Sequence, residues 1–136
     1  MRRSLFFPVG LLALVLSGCG GSGDCLEALD LACAPLYEPT FAELHARTLS
    51  GSCAVGGCHS GTSRAAGISL EGIDEAYAAL TGEAGGPRAI AGDAACSLLV
   101  RRVESSEASF VMPPGRPLST AERCVIRRWV ANGAQR

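Results

Sequence analysis

Cys53-Ala54-Val55-Gly56-Gly57-Cys58-His59 is the stretch of this chain best equipped for chemistry. Two thiols are followed directly by an imidazole. Thiols can form thioethers with the vinyl groups of a porphyrin, and an imidazole nitrogen is a ligand for iron, so the trio has the parts of a covalent haem site. In the common C-x-x-C-H arrangement two residues separate the cysteines; here four do. At that spacing a regular helix cannot present both thiols to one haem edge, so the insert must bulge. The insert is small and contains Gly56 and Gly57, which makes a bulge sterically easy. Two structural alternatives stand beside this reading. One is a Cys53–Cys58 disulfide closing a Gly-rich loop, with His59 an incidental neighbour. The other is zinc held by Cys53, Cys58, His59 and a fourth ligand, which adjacent Cys-His geometry and an oxidising compartment both disfavour.

The compartment is read from the start of the chain. Arg2 and Arg3 precede a short apolar run, Leu5 to Leu16, too short to span a bilayer and typical of a signal-peptide core. The run ends in Leu16-Ser17-Gly18-Cys19, which resembles a bacterial lipobox with Cys19 as the lipidated first mature residue. Residues 1–18 are therefore expected to be a lipoprotein signal peptide. Residues 19–39, which include Gly20-Gly21-Ser22-Gly23, are expected to be a lipidated, flexible tether, and residues 40–136 the domain. The expected location is the bacterial cell envelope. No Asp follows Cys19 as an inner-membrane retention signal, so the outer membrane is favoured, facing the periplasm or the surface. The chain has no lysine, and without Arg2 and Arg3 its thirteen acidic residues outnumber its arginines. That balance speaks against a nucleic-acid partner, which needs a basic stripe.

Seven cysteines in an exported chain of this size imply oxidative pairing. Lipidation would remove Cys19. If haem takes Cys53 and Cys58, four remain for two disulfides; without haem, three disulfides are possible. Cys96 and Cys124 each fall on an expected helix, so a bridge between them would staple two elements. Cys25 and Cys33 would lie about 12 Å apart on one continuous helix, too far to bridge, so that pairing requires the intervening stretch to turn. The expected pairs are Cys96–Cys124 and Cys25–Cys33.

The elements that must position these groups read as helices. Thr40-Phe41-Ala42-Glu43 is a capping box opening a helix with Phe41, Leu44, Thr48 and Leu49 on one face, ended by Ser50-Gly51-Ser52. Ile68 and Leu70 allow a short extended piece. Gly72 to Leu80 carries Ile73, Tyr77 and Leu80 at helical spacing. Asp93 can cap a helix whose inner face is Cys96, Leu99, Val100 and Val103, with Arg101 and Arg102 outward. Phe110 to Gly115 must be irregular because of Pro113 and Pro114. Ser119-Thr120-Ala121-Glu122 is a second capping box, opening a helix that buries Ala121, Val125, Ile126, Trp129 and Val130 and stops at Asn132-Gly133. The expected class is all-α, with short helices and long loops. Five aromatic residues follow the leader, a thin core that a buried macrocycle would fill.

A helix leading into Cys-His, a later Met112-Pro113-Pro114-Gly115 loop, and a final capped helix carrying Trp129-Val130-Ala131-Asn132-Gly133-Ala134 occur here in that order. In this order the chain resembles class I c-type cytochrome domains. More narrowly, it is similar to the cytochrome-c-like domains of planctomycete and myxobacterial lipoproteins. The resemblance covers about Thr40 to Ala134. It implies a cytochrome-c-like fold around one covalent haem c, with Cys53 and Cys58 as attachment points, His59 as proximal iron ligand and Met112 as distal ligand. Met112 is the one methionine left once the leader is removed. His45 is a rival axial ligand, more simply read as a solvated or core-edge residue. Arg101, Arg102, Arg127 and Arg128 are candidates to meet haem propionates, against a plain reading as solvated charges.

No Ser/His/Asp or Cys/His arrangement presents a nucleophilic site, so an enzyme is not expected. The leading function is lipid-anchored electron transfer through a His/Met-ligated monohaem, with periplasmic or membrane redox proteins as partners. The alternatives are a haemless, disulfide-stapled surface lipoprotein acting as a binding or structural module, and a haem sensor or ligand-binding cytochrome with labile Met112.

Overall fold

Thr40 starts the first helix: its hydroxyl accepts the Glu43 backbone N–H at 3.3 Å, but the reciprocal half of the expected capping box is not made, because the Glu43 carboxylate pairs with Arg47 and the Thr40 N–H bonds the Glu38 carbonyl. In the computed structural model, which describes residues 25–82 and 86–136, this helix α1 (Phe41–Leu44) buries Phe41 and Leu44 completely. It does not stop at Ser50-Gly51-Ser52. It widens into a π-helical stretch, His45–Cys53, closed by an Ala54 N–H bond to the Leu49 carbonyl five residues back, at 2.8 Å. The wider winding keeps Thr48 and Leu49 buried and makes Cys53 its last residue.

Helix α2 (Ile73–Thr81) buries Ala76 and Leu80. Ile73, expected on the inner face, is exposed, and Ala76 takes the buried position. Helix α3 (Leu98–Glu104) buries Val100 and Val103. It begins after Cys96; Asp93 caps the preceding turn instead, accepting the Cys96 N–H at 3.0 Å. Helix α4 (Thr120–Ala131) has the complete capping box, Ser119 and Glu122 each bonding the other's backbone N–H. Asn132 and Gly133, the latter at φ +99°, end it. Among the described residues there is no β-strand, only an isolated bridge between Ile90 and Asp93, so the all-α expectation holds.

The core is built on three rings. Phe41 lies between Tyr77, edge-on at 5.0 Å, and Trp129, tilted at 5.2 Å. Both outer rings also tie down the C-terminus. Trp129 Nε1 donates to the Gln135 carbonyl at 2.7 Å, and the Tyr77 hydroxyl donates to that of Ala134 at 3.0 Å. Helices α3 and α4 are joined by charge. Glu104 sits 3.2 Å from Arg127 and 3.3 Å from Arg123, and Arg127 is buried rather than solvated.

Two expectations fail at the N-terminal side. Residues 25–39 are no tether: they form a strap laid on the domain. Leu26 and Leu29 pack against the core, the Leu26 N–H bonds the Ala95 carbonyl at 3.1 Å, and the Leu36 N–H bonds that of Ala121 at 3.2 Å. The disulfides are therefore Cys25–Cys96, with Cα atoms 4.4 Å apart, and Cys33–Cys124, 6.0 Å apart, not Cys96–Cys124 and Cys25–Cys33. The physical reason is that the strap runs across the approach to α3 and then past α4, presenting one cysteine to each. The leader, Cys19 and Gly20–Gly23 lie outside the described residues. Among those described, no helix is long and apolar enough to cross a membrane.

Candidate functional site

The wide Cys53–Cys58 interval is taken up by a tight turn. The Cys58 N–H bonds the Val55 carbonyl at 3.0 Å, and Gly57 stands at φ +84°, a conformation that a side chain would strain. The insert thus bulges at its glycines as the spacing requires. The His59 N–H then returns to the Cys53 carbonyl at 3.1 Å, and the Ser60 hydroxyl donates to the Val55 carbonyl at 2.8 Å. The loop therefore closes on itself and holds Cys53, Cys58 and His59 as one unit.

The His59 ring is oriented by backbone. Its Nδ1 lies 2.9 Å from the Ala65 carbonyl oxygen, which can only accept, so Nδ1 carries the proton and Nε2 keeps its lone pair for a metal. The Ala65 carbonyl is held in turn. The Ala65 N–H bonds the Cys58 carbonyl at 3.0 Å, and the flanking Arg64 and Ala66 take left-handed backbone conformations at φ 37° and 54°. Non-glycine residues rarely adopt these angles, and here they fold the loop tightly around the imidazole.

Cys53, Cys58 and His59 face a cavity of about 280 Å³. Leu49, Ile68, Leu70 and Leu80 line it from one side, and Leu98, Leu99 and Val103 of α3 from another. Met112, Pro113 and Pro114 border the same cavity, so the structure brings Met112 to the space that the Cys-Cys-His loop faces. The Met112–Pro113 peptide is cis. Two arginines, Arg88 and Arg102, supply the charged groups of this otherwise apolar lining, and neither has a carboxylate partner among the described residues. His45 is not part of it; its ring is 3.1 Å from the Leu70 carbonyl, a core-edge role.

The two disulfides consume four of the described cysteines and leave Cys53 and Cys58 as free thiols, so the Cys53–Cys58 bridge is not formed. Burial pushes the Cys53 thiol up to about 11, with Cys58 and Glu122 adding to the shift. Cys53 is thus a neutral, apolar-facing thiol, suited to meeting a hydrophobic macrocycle and poorly suited to binding a cation as thiolate. Among the described residues no three Cys, His, Asp or Glu side chains converge to hold an ion. One imidazole and one thioether leave an iron's remaining positions to a ligand that brings its own donors. The donor set, the two spare thiols and the apolar walls fit haem.

Sequence reasoning missed two contributors. The Ala65 carbonyl has no signature, because any residue supplies one. Arg88, which the sequence reading did not single out, lines the cavity; Arg102, read as a propionate candidate or a solvated charge, lines it too.

One comparison with known proteins finds a match. Residues 56–115 match the family model described as Planctomycete cytochrome C. The matched segment opens inside the Cys53–Cys58 insert and ends just past Met112-Pro113-Pro114, so it spans His59, the loop that orients it, and the Met112 loop. The match supports a cytochrome-c-like domain. No curated protein and no solved structure matches the chain.

Proposed function

We propose that this domain carries one haem c, bonded through Cys53 and Cys58, with His59 and Met112 as axial ligands, and that it passes electrons between redox proteins of the bacterial cell envelope, anchored by a lipid on Cys19. The observation that carries the reading is His59: its Nδ1 is spoken for by a backbone carbonyl, and together with two unpaired cysteines it lines an apolar cavity that Met112 also borders. When bound, haem supplies a one-electron iron couple whose potential methionine ligation raises.

The chain's own part is placement and exclusion. The Gly57 turn sets the two thiols at different points of one closed loop. The Ala65 carbonyl keeps His59 in the Nδ1–H tautomer. Leu49, Leu70, Leu80, Leu98 and Leu99 give the cavity apolar walls, and Arg88 and Arg102 give it the positive charge that a carboxylate-bearing ligand needs.

The test is maturation in a host with haem-attachment machinery. Mass spectrometry of the denatured protein should find one haem added, and Met112→Ala should lose the methionine-to-iron band and lower the potential. Recovery of the haemless protein with both disulfides intact would favour the binding-module reading instead. Cys19→Ser should abolish lipidation and release the protein from membranes; continued tight association would show that the anchor lies elsewhere.

A further inference from the structure

Met112 sits in an irregular loop, Phe110 to Gly115, with no helix or sheet of its own, and thioether ligation of iron needs that loop held against the cavity. One residue provides most of the visible restraint. The backbone carbonyl of Arg102, an orphan acceptor near the end of α3, takes the Met112 N–H at 3.0 Å. Its guanidinium Nη1 donates to the Phe110 carbonyl at 3.0 Å, and the same guanidinium lies 4.0 Å from the centre of the Phe110 ring. Arg102 also lines the cavity, next to Leu99 and Val103. Its neighbour Arg101 is 5.8 Å from the Phe110 ring and makes no hydrogen bond to the loop. The remaining bonds of the segment, from Phe110 and Val111 N–H groups to the Glu107 carbonyl, shape the turn without tying it to α3.

We propose that Arg102 is a positioning residue that latches the Met112 loop onto α3 and so sets how readily Met112 leaves the iron. The proposal rests on the His59/Met112 reading above. A charge-assisted hydrogen bond and a close cation–π contact are lost together in Arg102→Gln, while the backbone bond from Met112 survives. The open-loop population should rise about ten- to a hundredfold.

The experiment titrates imidazole, which competes with Met112, into the oxidised haem-loaded protein. Arg102→Gln should bind imidazole about ten- to a hundredfold more tightly than the parent, with affinity read per haem and the haem content of each variant measured alongside. Arg101→Gln removes the same charge from the same helix and should bind as the parent does. Phe110→Leu keeps the arginine and removes its ring contact; it should raise affinity by a smaller factor. Combined with Arg102→Gln, it should add less than its separate effect. Should Arg102→Gln fail to accumulate, Phe110→Leu and Arg101→Gln still decide the matter, since equal affinities in both would overturn the latch. Equal shifts in Arg101→Gln and Arg102→Gln would reduce the effect to general electrostatics and overturn it too. A parent protein without the methionine–iron band would refute the ligand assignment itself, whereas a normal parent with an unaltered Arg102→Gln refutes the latch alone.

Discussion

Replacing Cys33 and Cys124 by alanine together tests the strap. In the chain-entropy treatment, a bridge across 91 residues stabilises by about 4.6 kcal/mol, because it removes that much loop freedom from the unfolded chain. The retained Cys25–Cys96 link already shortens the loop that Cys33–Cys124 closes to roughly 36 residues, which lowers the figure to about 3.8 kcal/mol. Cys124 is fully buried, so its truncation adds a small void. For a domain of this size such a loss lowers Tm by roughly 15–30 °C. Thermal unfolding followed by circular dichroism measures it. A second readout is the non-reducing tryptic digest of the parent protein. The chain has no lysine, and cleavage after Arg123 and Arg127 isolates Cys124 in a four-residue peptide, cleavage after Arg88 and Arg101 isolates Cys96, and Cys25 and Cys33 stay together upstream of Arg47. The observed pairing yields one cluster of three peptides. A Tm change below about 5 °C, or a digest in which the Cys96 and Cys124 peptides are joined only to each other, would refute the strap.

Two further outcomes are expected. In haem-free protein, the Cys53 thiol ionises near 11 when folded against an ordinary 9.0 when unfolded, so its contribution to stability is complete below pH 9 and is lost as pH rises towards 11. Chemical denaturation across that range should show the decline, and Cys53→Ser should flatten it. Glu104→Ala should cost about 3–5 kcal/mol, because it leaves the buried Arg127 without its counter-charge. Equilibrium urea unfolding reads this directly, and a loss under 1 kcal/mol would mean that Arg127 finds water instead.

What the sequence determined by itself was local. Caps at Thr40 and Ser119 need only a hydroxyl and the backbone three residues on, and both helices start where those residues say. The Gly56-Gly57 bulge follows from the spacing of Cys53 and Cys58 and from glycine's access to positive φ. The adjacency of Cys58 and His59, and the prolines after Met112, marked two sides of a site without requiring any long-range knowledge. The tertiary structure decided what depends on distant segments meeting. Residues 25–39 form neither helix nor strand although Leu26, Leu29 and Cys33 recur at helical spacing, and nothing in their order says whether they hang free or lie on α3 and α4; packing of Leu26 and Leu29 settled it, and the disulfide pairing followed from where the strap came to rest. Arg102 read either as a solvated charge or as a propionate candidate, because a side chain's local pattern does not reveal which loop folds back over it. His59 as a lone loop histidine carried no information about its tautomer until a backbone carbonyl six residues away, carried on a left-handed turn, came within 2.9 Å of its Nδ1. Local rules name the groups; only the closed chain brings α3 and the Met112 loop to the cavity that His59 lines, because those segments are distant from it in sequence.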